Sequence, residues 1–301
     1  MEGITNAQFG LLIALFSVIA LAFILSFGLG FKYKNISKII RLIGLLCSGI
    51  LFIALIVVSY TNPDYPYKIE LQGLWNNFGL YILTVALVLL ITMVALICGK
   101  KKEVNETKSI AYAAVCLATS FALSYVRIFH MPQGGSVTLA SLIPIMLYSY
   151  MFGVRRGVVI GAIYGLLQFI QEPYFYHPME FLLDYPIAFG AIGLTGLFNE
   201  LNILGDKPIT EDSTKIKTQV TWRKPLQFAI CATIAVTLRY FSHVIAGAYF
   251  FGEWRETGYS VIGWSFAYNA FAFVDLVFDI IVGVALFTSR SMNRLLERAV
   301  Q

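Results

Sequence analysis

Long apolar runs interrupted by short polar stretches dominate this chain. A membrane-crossing helix needs about 20 apolar residues. The pattern yields nine candidate spans, at residues 8–31, 40–60, 78–98, 109–130, 137–152, 157–172, 179–199, 225–251 and 260–288. The fifth and sixth are short, and only Gly153, Val154, Arg155 and Arg156 separate them, which predicts a tight helical hairpin. The run Phe9 to Phe31 is too long for a signal-peptide core and follows no basic leader, so it is expected to remain as a span. The pattern predicts an all-α, polytopic membrane protein.

Composition agrees. Of 301 residues, 58% are hydrophobic and 13% charged, whereas a soluble domain carries about 25% charge. The net charge of +5 is no nucleic-acid signal, because it follows from where the bases sit. With the N-terminus outside, the inner loops hold the bases of 32–41, 100–108, 155–156, 207–224 and 290–298, eighteen of the 22 Lys and Arg residues. Lys68, Arg127 and Arg255 remain outside and Arg239 is buried. The positive-inside rule then predicts a multi-pass protein of the cell membrane, N-terminus out and C-terminus cytoplasmic. The four cysteines lie in or beside apolar runs without a CxxC pair, and read as small hydrophobes.

Four regions are expected: a three-helix N-terminal membrane extension at 1–99, a basic linker at 100–108, a six-helix core at 109–290, and a cytoplasmic tail at 291–301. The hydrophilic loop near 200–224 reads as a flexible connector dividing the core into four spans plus two.

The core carries the unusual polar residues. Arg239 and His243 stand one turn apart on one helix face in an apolar span. A charge at that depth costs about 2.5–3.5 kcal/mol on insertion scales, so the chain is expected to use it. Asp184, Arg239, His243 and Asn269 are predicted to reach similar depth below the outer surface and to converge. An internal Asp184–Arg239 ion pair is the structural alternative, and Arg239 is expected mainly to pair with Asp184 and set that carboxylate's position. Aromatic, Gly-rich and Pro-rich outer loops surround this level, with Tyr174, Phe250, Phe251, Trp254, Trp264 and Tyr268 offering flat faces. Some of these aromatics serve as interface anchors. Seven outer acids against three bases favour a cationic ligand, which aromatic faces also hold. Asp275 and Asp279, one turn apart, suit either a proton or ion role or an inner crevice. No phosphate loop, Walker lysine or His/Cys metal cluster is evident, so no cofactor is expected and any ATP must act on another chain.

Several motifs together resemble one family. They are Met131-Pro132-Gln133-Gly134-Gly135-Ser136-Val137, His177-Pro178 followed by Leu182-Leu183-Asp184-Tyr185, Leu238-Arg239-Tyr240, His243-Val244-Ile245-Ala246-Gly247 with Phe250-Phe251-Gly252, and Tyr268-Asn269-Ala270. Over about residues 109–290 the chain resembles the thiamine-specific substrate-binding (S) components of energy-coupling factor vitamin transporters. The resemblance implies a six-helix membrane protein that captures thiamine from outside. It docks on a transmembrane coupling protein and two cytoplasmic ATPases, and performs no chemistry itself. By the same resemblance Asp184 binds the aminopyrimidine, and Tyr185, His243 and Asn269 complete the polar contacts. Tyr174, Phe251 or Trp254, and Trp264 stack on the rings, and Arg239 matches a basic position. Ala114 and Ala118 match a small-xxx-small face toward the coupling protein. Three departures stand out: the acid is Asp184 where some members carry Glu, the aromatics differ in kind, and the first hundred residues have no counterpart. The competing readings are a stand-alone proton- or ion-coupled transporter of a small cationic or aromatic solute, suggested by Asp275 and Asp279, and a membrane enzyme, for which no nucleophile or cofactor motif speaks.

Overall fold

A computed structural model describes residues 74–97, 99, 105–132, 134–175, 177–197, 223–252, 256 and 258–300, with scattered helical positions between 10 and 47. The expected spans at 8–31 and 40–60, most of the linker, the connector after 197 and Trp254 lie outside the described residues. Contacts divide the chain into two compact units. One comprises Met1–Asn76 and Tyr174–Phe181, the other Asn77–Pro173 and Leu182–Gln301.

The described elements are α1 (Leu74–Ile97), α2 (Glu106–Ser124), β1 (Arg127–His130), β2 (Ser136–Thr138), α3 (Ile143–Phe152), α4 (Val154–Gln171), α5 (Pro178–Leu182), a π turn (Leu183–Ile187), α6 (Ala188–Ile192), a 3-10 turn (Gly193–Gly196), α7 (Arg223–Phe250), α8 (Val261–Asn269), α9 (Phe271–Thr288) and α10 (Arg290–Val300). Glu106–Ser124, Arg223–Phe250 and the bent pair Val261–Thr288 are long and apolar enough to cross a membrane.

Local chemistry explains the boundaries. The Asn105 side chain accepts the Lys108 N–H and caps α2. Helix α3 stops at Gly153, whose φ of 92° suits glycine, and α4 starts at the next residue. The expected hairpin of helices is therefore present and tighter than the four-residue gap in the sequence suggested.

Two expected spans start or end differently. The run 109–130 is helical only to Ser124, and 137–152 only from Ile143. Between them β1 and β2 pair antiparallel, with Phe129 opposite Val137 and His130 opposite Ser136. Gly134 and Gly135 take φ of 91° and 86° at the turn.

The span expected at 179–199 is broken throughout. Pro186 has no N–H to give the carbonyl four residues back, and the chain widens into a π turn over Leu183–Ile187. Ser242 of α7 donates to the Leu183 carbonyl at 2.5 Å, which ties the π turn to α7.

A glycine row on α4 receives this broken segment. A Cβ on Gly157 would fall 2.9 Å from the Gly193 carbonyl oxygen, one on Gly161 2.3 Å from that of Phe189, and one on Gly165 2.4 Å from that of Tyr185. Backbone lies on backbone along the row, the close approach that small residues at four-residue spacing allow. On the other side the segment packs against α7, where Ala232, Ala235, Val236 and Ala246 are fully buried. Asp184 and Tyr185 are thus held between α4 and α7.

Candidate binding site

His243 and Asp184 form the centre of the site. His243 Nδ1 lies 2.7 Å from Asp184 Oδ1, with the side chains 11% and 19% exposed. A carboxylate accepts, so Nδ1 carries the hydrogen, and the ring turns Nε2 inward. Nε2 is buried and has no hydrogen-bond partner among the described residues.

Asn269 closes the last turn of α8, at the break before α9. Its amide nitrogen donates to the His243 carbonyl at 3.3 Å, the Ser265 carbonyl at 2.9 Å and Ser265 Oγ at 3.3 Å. Close packing of α7 on α8 brings it there: a Cβ on Gly247 would meet Ser265 Oγ at 2.4 Å. With all its bonds made through nitrogen, Asn269 keeps Oδ1 as an acceptor. His243, Asp184 and Asn269 are therefore one cluster, as their expected depths suggested.

Arg239 belongs to a second polar layer one turn away. Its Nη1 donates to Asp275 Oδ2 at 3.1 Å, both side chains being almost fully buried. The guanidinium also lies 4.8 Å from the centre of the Phe189 ring. The counter-charge expected for Arg239 was Asp184, and the structure supplies Asp275. Four residues of helix rise about 6 Å, which separates the two layers: Asp184 meets α7 at His243, and α9 brings Asp275 to Arg239.

Asp275 does more. Its Oδ1 accepts both the N–H and the hydroxyl of Thr138, each at 3.0 Å. Thr138 Oγ1 lies 2.8 Å from Ser141 Oγ. The base of the β hairpin is thereby tied to α9 and, through Arg239, to α7. The hairpin turn is fixed separately: Tyr268 donates to the Gly134 carbonyl at 2.9 Å, and a Cβ on Gly135 would meet the Phe271 ring at 2.6 Å. Asp279, one turn further along α9, is fully buried and neither carboxyl oxygen has a hydrogen-bond partner among the described residues.

The aromatic residues form a row. Trp264 packs on Tyr268 (centroids 5.8 Å apart), Tyr268 on Phe271 (6.5 Å), and Phe271 on His243 (6.3 Å). Phe271 is the ring that meets the polar centre, and the sequence reading did not single it out. Its signal was its place two residues after Asn269. Tyr185 packs edge-on against Phe169, and its hydroxyl donates to the Glu172 carbonyl at 2.9 Å. Phe251 is half-buried just past the end of α7, eight residues from His243 and so about 12 Å along the axis. Tyr174 falls in the other unit. There His177 is 1% exposed, its Nδ1 accepting the Met179 N–H at 3.1 Å, and burial pushes the imidazole down to about 4. Ala114 and Ala118 are exposed on α2, one turn apart. Among the described residues no group of three or more His, Cys, Asp and Glu side chains is placed to hold a metal ion.

What the arrangement offers a ligand is a set of acceptors beside aromatic faces. Nε2 of a neutral His243, Oδ1 of Asn269 and the Asp184 carboxylate all accept hydrogen bonds. A matching ligand carries N–H donors, flat rings and positive charge.

The model of the thiamine transporter protein family (Thia_YuaJ) matches residues 110–294. The thiamine transporter ThiT of Bacillus subtilis (strain 168) is 39% identical over 142 residues, 46% of this chain and 68% of that protein. ThiT of Lacticaseibacillus paracasei is 28% identical over 181 residues, 58% of this chain and 84% of that protein. A solved structure of ThiT from Listeria monocytogenes is 19% identical, covers 63% of this chain and 93% of its own, and superposes with a TM-score of 0.46.

Proposed function

This chain belongs to the thiamine transporter protein (Thia_YuaJ) family, and from that premise we propose that it is the substrate-binding subunit of an energy-coupling factor importer, capturing thiamine from outside. Its class is plain: a polytopic, all-α membrane transporter and not an enzyme. The residue roles below are the reading we attach to it.

Thiamine joins an aminopyrimidine, with two N–H donors, to a cationic thiazolium ring. The acceptor set suits the first part and the aromatic row the second. Asp184 and Asn269 Oδ1 accept from the amino group, while His243 Nε2 offers a further acceptor beside it. Tyr185 packs beside the acid. Phe271, then Tyr268 and Trp264, supply ring faces, each worth about 0.5–2 kcal/mol to a cation. Phe251 stays a candidate for the outer rim, and the family resemblance alone keeps Trp254 and Tyr174 as candidates for ring contacts. Arg239 is a positioning residue, holding Asp275 and with it the base of the hairpin.

The single observation that carries this reading is the buried Nε2 of His243, on the ring held by Asp184 and without a hydrogen-bond partner among the described residues. A buried polar atom without a bond costs about 1–3 kcal/mol, and a ligand donor would recover it. Calorimetric titration of the purified full chain tests the reading. Saturable heat with thiamine and none with a neutral flavin supports it; saturation only by a different vitamin overturns it.

Delivery rests on partner chains. The exposed Ala114/Ala118 face of α2 is the docking surface for a transmembrane coupling protein whose two ATPases drive reorientation. In the same reading residues 109–290 form the six-helix core and 1–99 a three-span extension joined at 100–108. The N-terminus is outside and the tail cytoplasmic. The competing reading, a stand-alone ion-coupled transporter, draws on the Asp279 carboxyl, buried inside a span without a hydrogen-bond partner among the described residues. Thiamine uptake into proteoliposomes holding this chain alone, driven by an ion gradient, would favour it.

A further inference from the structure

The end of the chain is built as a separate amphipathic helix. Helix α9 stops at Thr288, and Ser289 adopts extended backbone with φ −74° and ψ 120°. The break is a constructed corner. Ser289 Oγ accepts the Met292 N–H at 3.4 Å, and Asn293 Nδ2 donates to the Phe287 carbonyl at 2.7 Å and the Ser289 carbonyl at 3.0 Å. The Asn293 bond to Phe287 satisfies a carbonyl that the end of α9 leaves open, and Ser289 Oγ takes an N–H at the start of α10. The chain therefore leaves the direction of the span and runs on as α10.

Spacing on α10 separates two faces. At 100° per residue, Arg290, Arg294 and Arg298 fall within an arc of about 80°. Met292, Leu295, Leu296, Ala299 and Val300 fall within about 140° on the opposite side. The protein covers only part of the apolar face. Helix α10 packs against α3 and α9, and Leu296 is 6% exposed, whereas Leu295 is 59% exposed. On the wheel Leu295 lies between the covered apolar edge and Arg298, and Arg294 and Arg298 are both exposed.

We propose that α10 lies in the membrane interface and binds anionic lipid headgroups through Arg294 and Arg298, with Leu295 entering the acyl boundary. Two features point to lipid. The helix follows a membrane-spanning helix after one residue, so its start is fixed at the bilayer surface. Its uncovered seam also places an apolar side chain directly beside the arginine row, the arrangement by which a basic amphipathic helix seats itself in a bilayer. A basic residue near an anionic surface contributes about fivefold in affinity. This inference needs neither thiamine nor a coupling protein.

The test uses the full chain with Cys47, Cys98, Cys116 and Cys231 replaced by Ala and Leu295→Cys carrying an environment-sensitive fluorophore. It is reconstituted in vesicles of phosphatidylcholine, alone or mixed with phosphatidylglycerol. The expected result is blue-shifted emission, quenched by brominated lipid and stronger in the anionic vesicles. The Arg294→Gln/Arg298→Gln variant should lose the anionic preference. A companion measurement leaves Leu295 in place: native mass spectrometry of phosphatidylglycerol carried through purification should fall about 25-fold in the double variant. Emission like that in water in both vesicle types overturns the proposal. So does an unchanged preference in the arginine variant, protection of the label only when a partner protein is added, or displacement by soluble glycerol phosphate.

Discussion

At the residue scale the account turns on two acids with different tasks. Asp184 holds His243, and Asp275 holds Arg239 and Thr138. Removing one partner of a buried ion pair costs about 3–5 kcal/mol. Asp275→Asn should therefore lower stability by about that amount, read as a shifted melting curve in detergent, and an unchanged melt would contradict the network. Asp279→Leu should do the reverse. The Asp279 carboxyl is buried with no hydrogen-bond partner among the described residues, so an apolar side chain of similar size removes the cost of burying an unbonded polar group, and the melting temperature should rise. His177 sets a pH dependence. Its folded value lies near 4, below the ordinary 6.5, so the unfolded chain binds the proton more readily. Its share of stability is full above about 6.5 and falls as pH drops from there toward 4. Melting curves across that window should show the loss, and His177→Gln should reduce it. The polar residues were legible in the sequence because charge in an apolar span is expensive. Their pairing was not. Hydropathy fixes depth only to within a helical turn, and one turn is what separates Asp184 from Asp275 as partner for Arg239.

At the element scale the glycine row of α4 does the positioning. It lets the broken segment carrying Asp184 lie backbone to backbone against α4. Gly161→Ala would place a methyl 2.3 Å from the Phe189 carbonyl oxygen. That overlap cannot be relieved by turning a side chain, so the segment must shift. Overpacking of this kind costs about 1–3 kcal/mol, and it should also weaken ligand binding, because Asp184 moves with its segment. Gly10→Ala, with nothing within 4 Å of the added carbon, is the control. Among the described residues the long helices were readable from apolar runs, and so was the tight join at Gly153. The β hairpin was not, because Ile128, Phe129 and Val137 continue the apolar runs on either side and hydropathy does not distinguish a strand from the end of a helix. The break at 183–187 had a sign in Pro186, and the row Gly157, Gly161, Gly165 had one in its four-residue spacing. Neither changes the hydropathy pattern, because the apolar run alone accounts for a span.

At the scale of the whole molecule, composition and the spacing of apolar runs were enough for a polytopic all-α membrane protein; the N-out orientation read from the charge distribution belongs to the proposal. The quartet Asp184, His243, Asn269 and Arg239 was drawn from the sequence as one group, and the structure arranges it as two stacked layers joined through α7. Phe271 entered only with the structure, since an aromatic residue in an apolar span is unremarkable until its neighbour is known. The central claim is that the acceptor cluster around Asp184 and His243 holds thiamine. The most direct test is an equilibrium titration of the full chain with thiamine, followed by tryptophan fluorescence, for the wild type and Asp184→Asn. A hydrogen bond to a charged group contributes about 1.5–3 kcal/mol, so the account predicts saturable binding that weakens by about 10- to 100-fold in the variant. Saturable binding with the same affinity in both proteins, or no saturable response in the wild type, would contradict it.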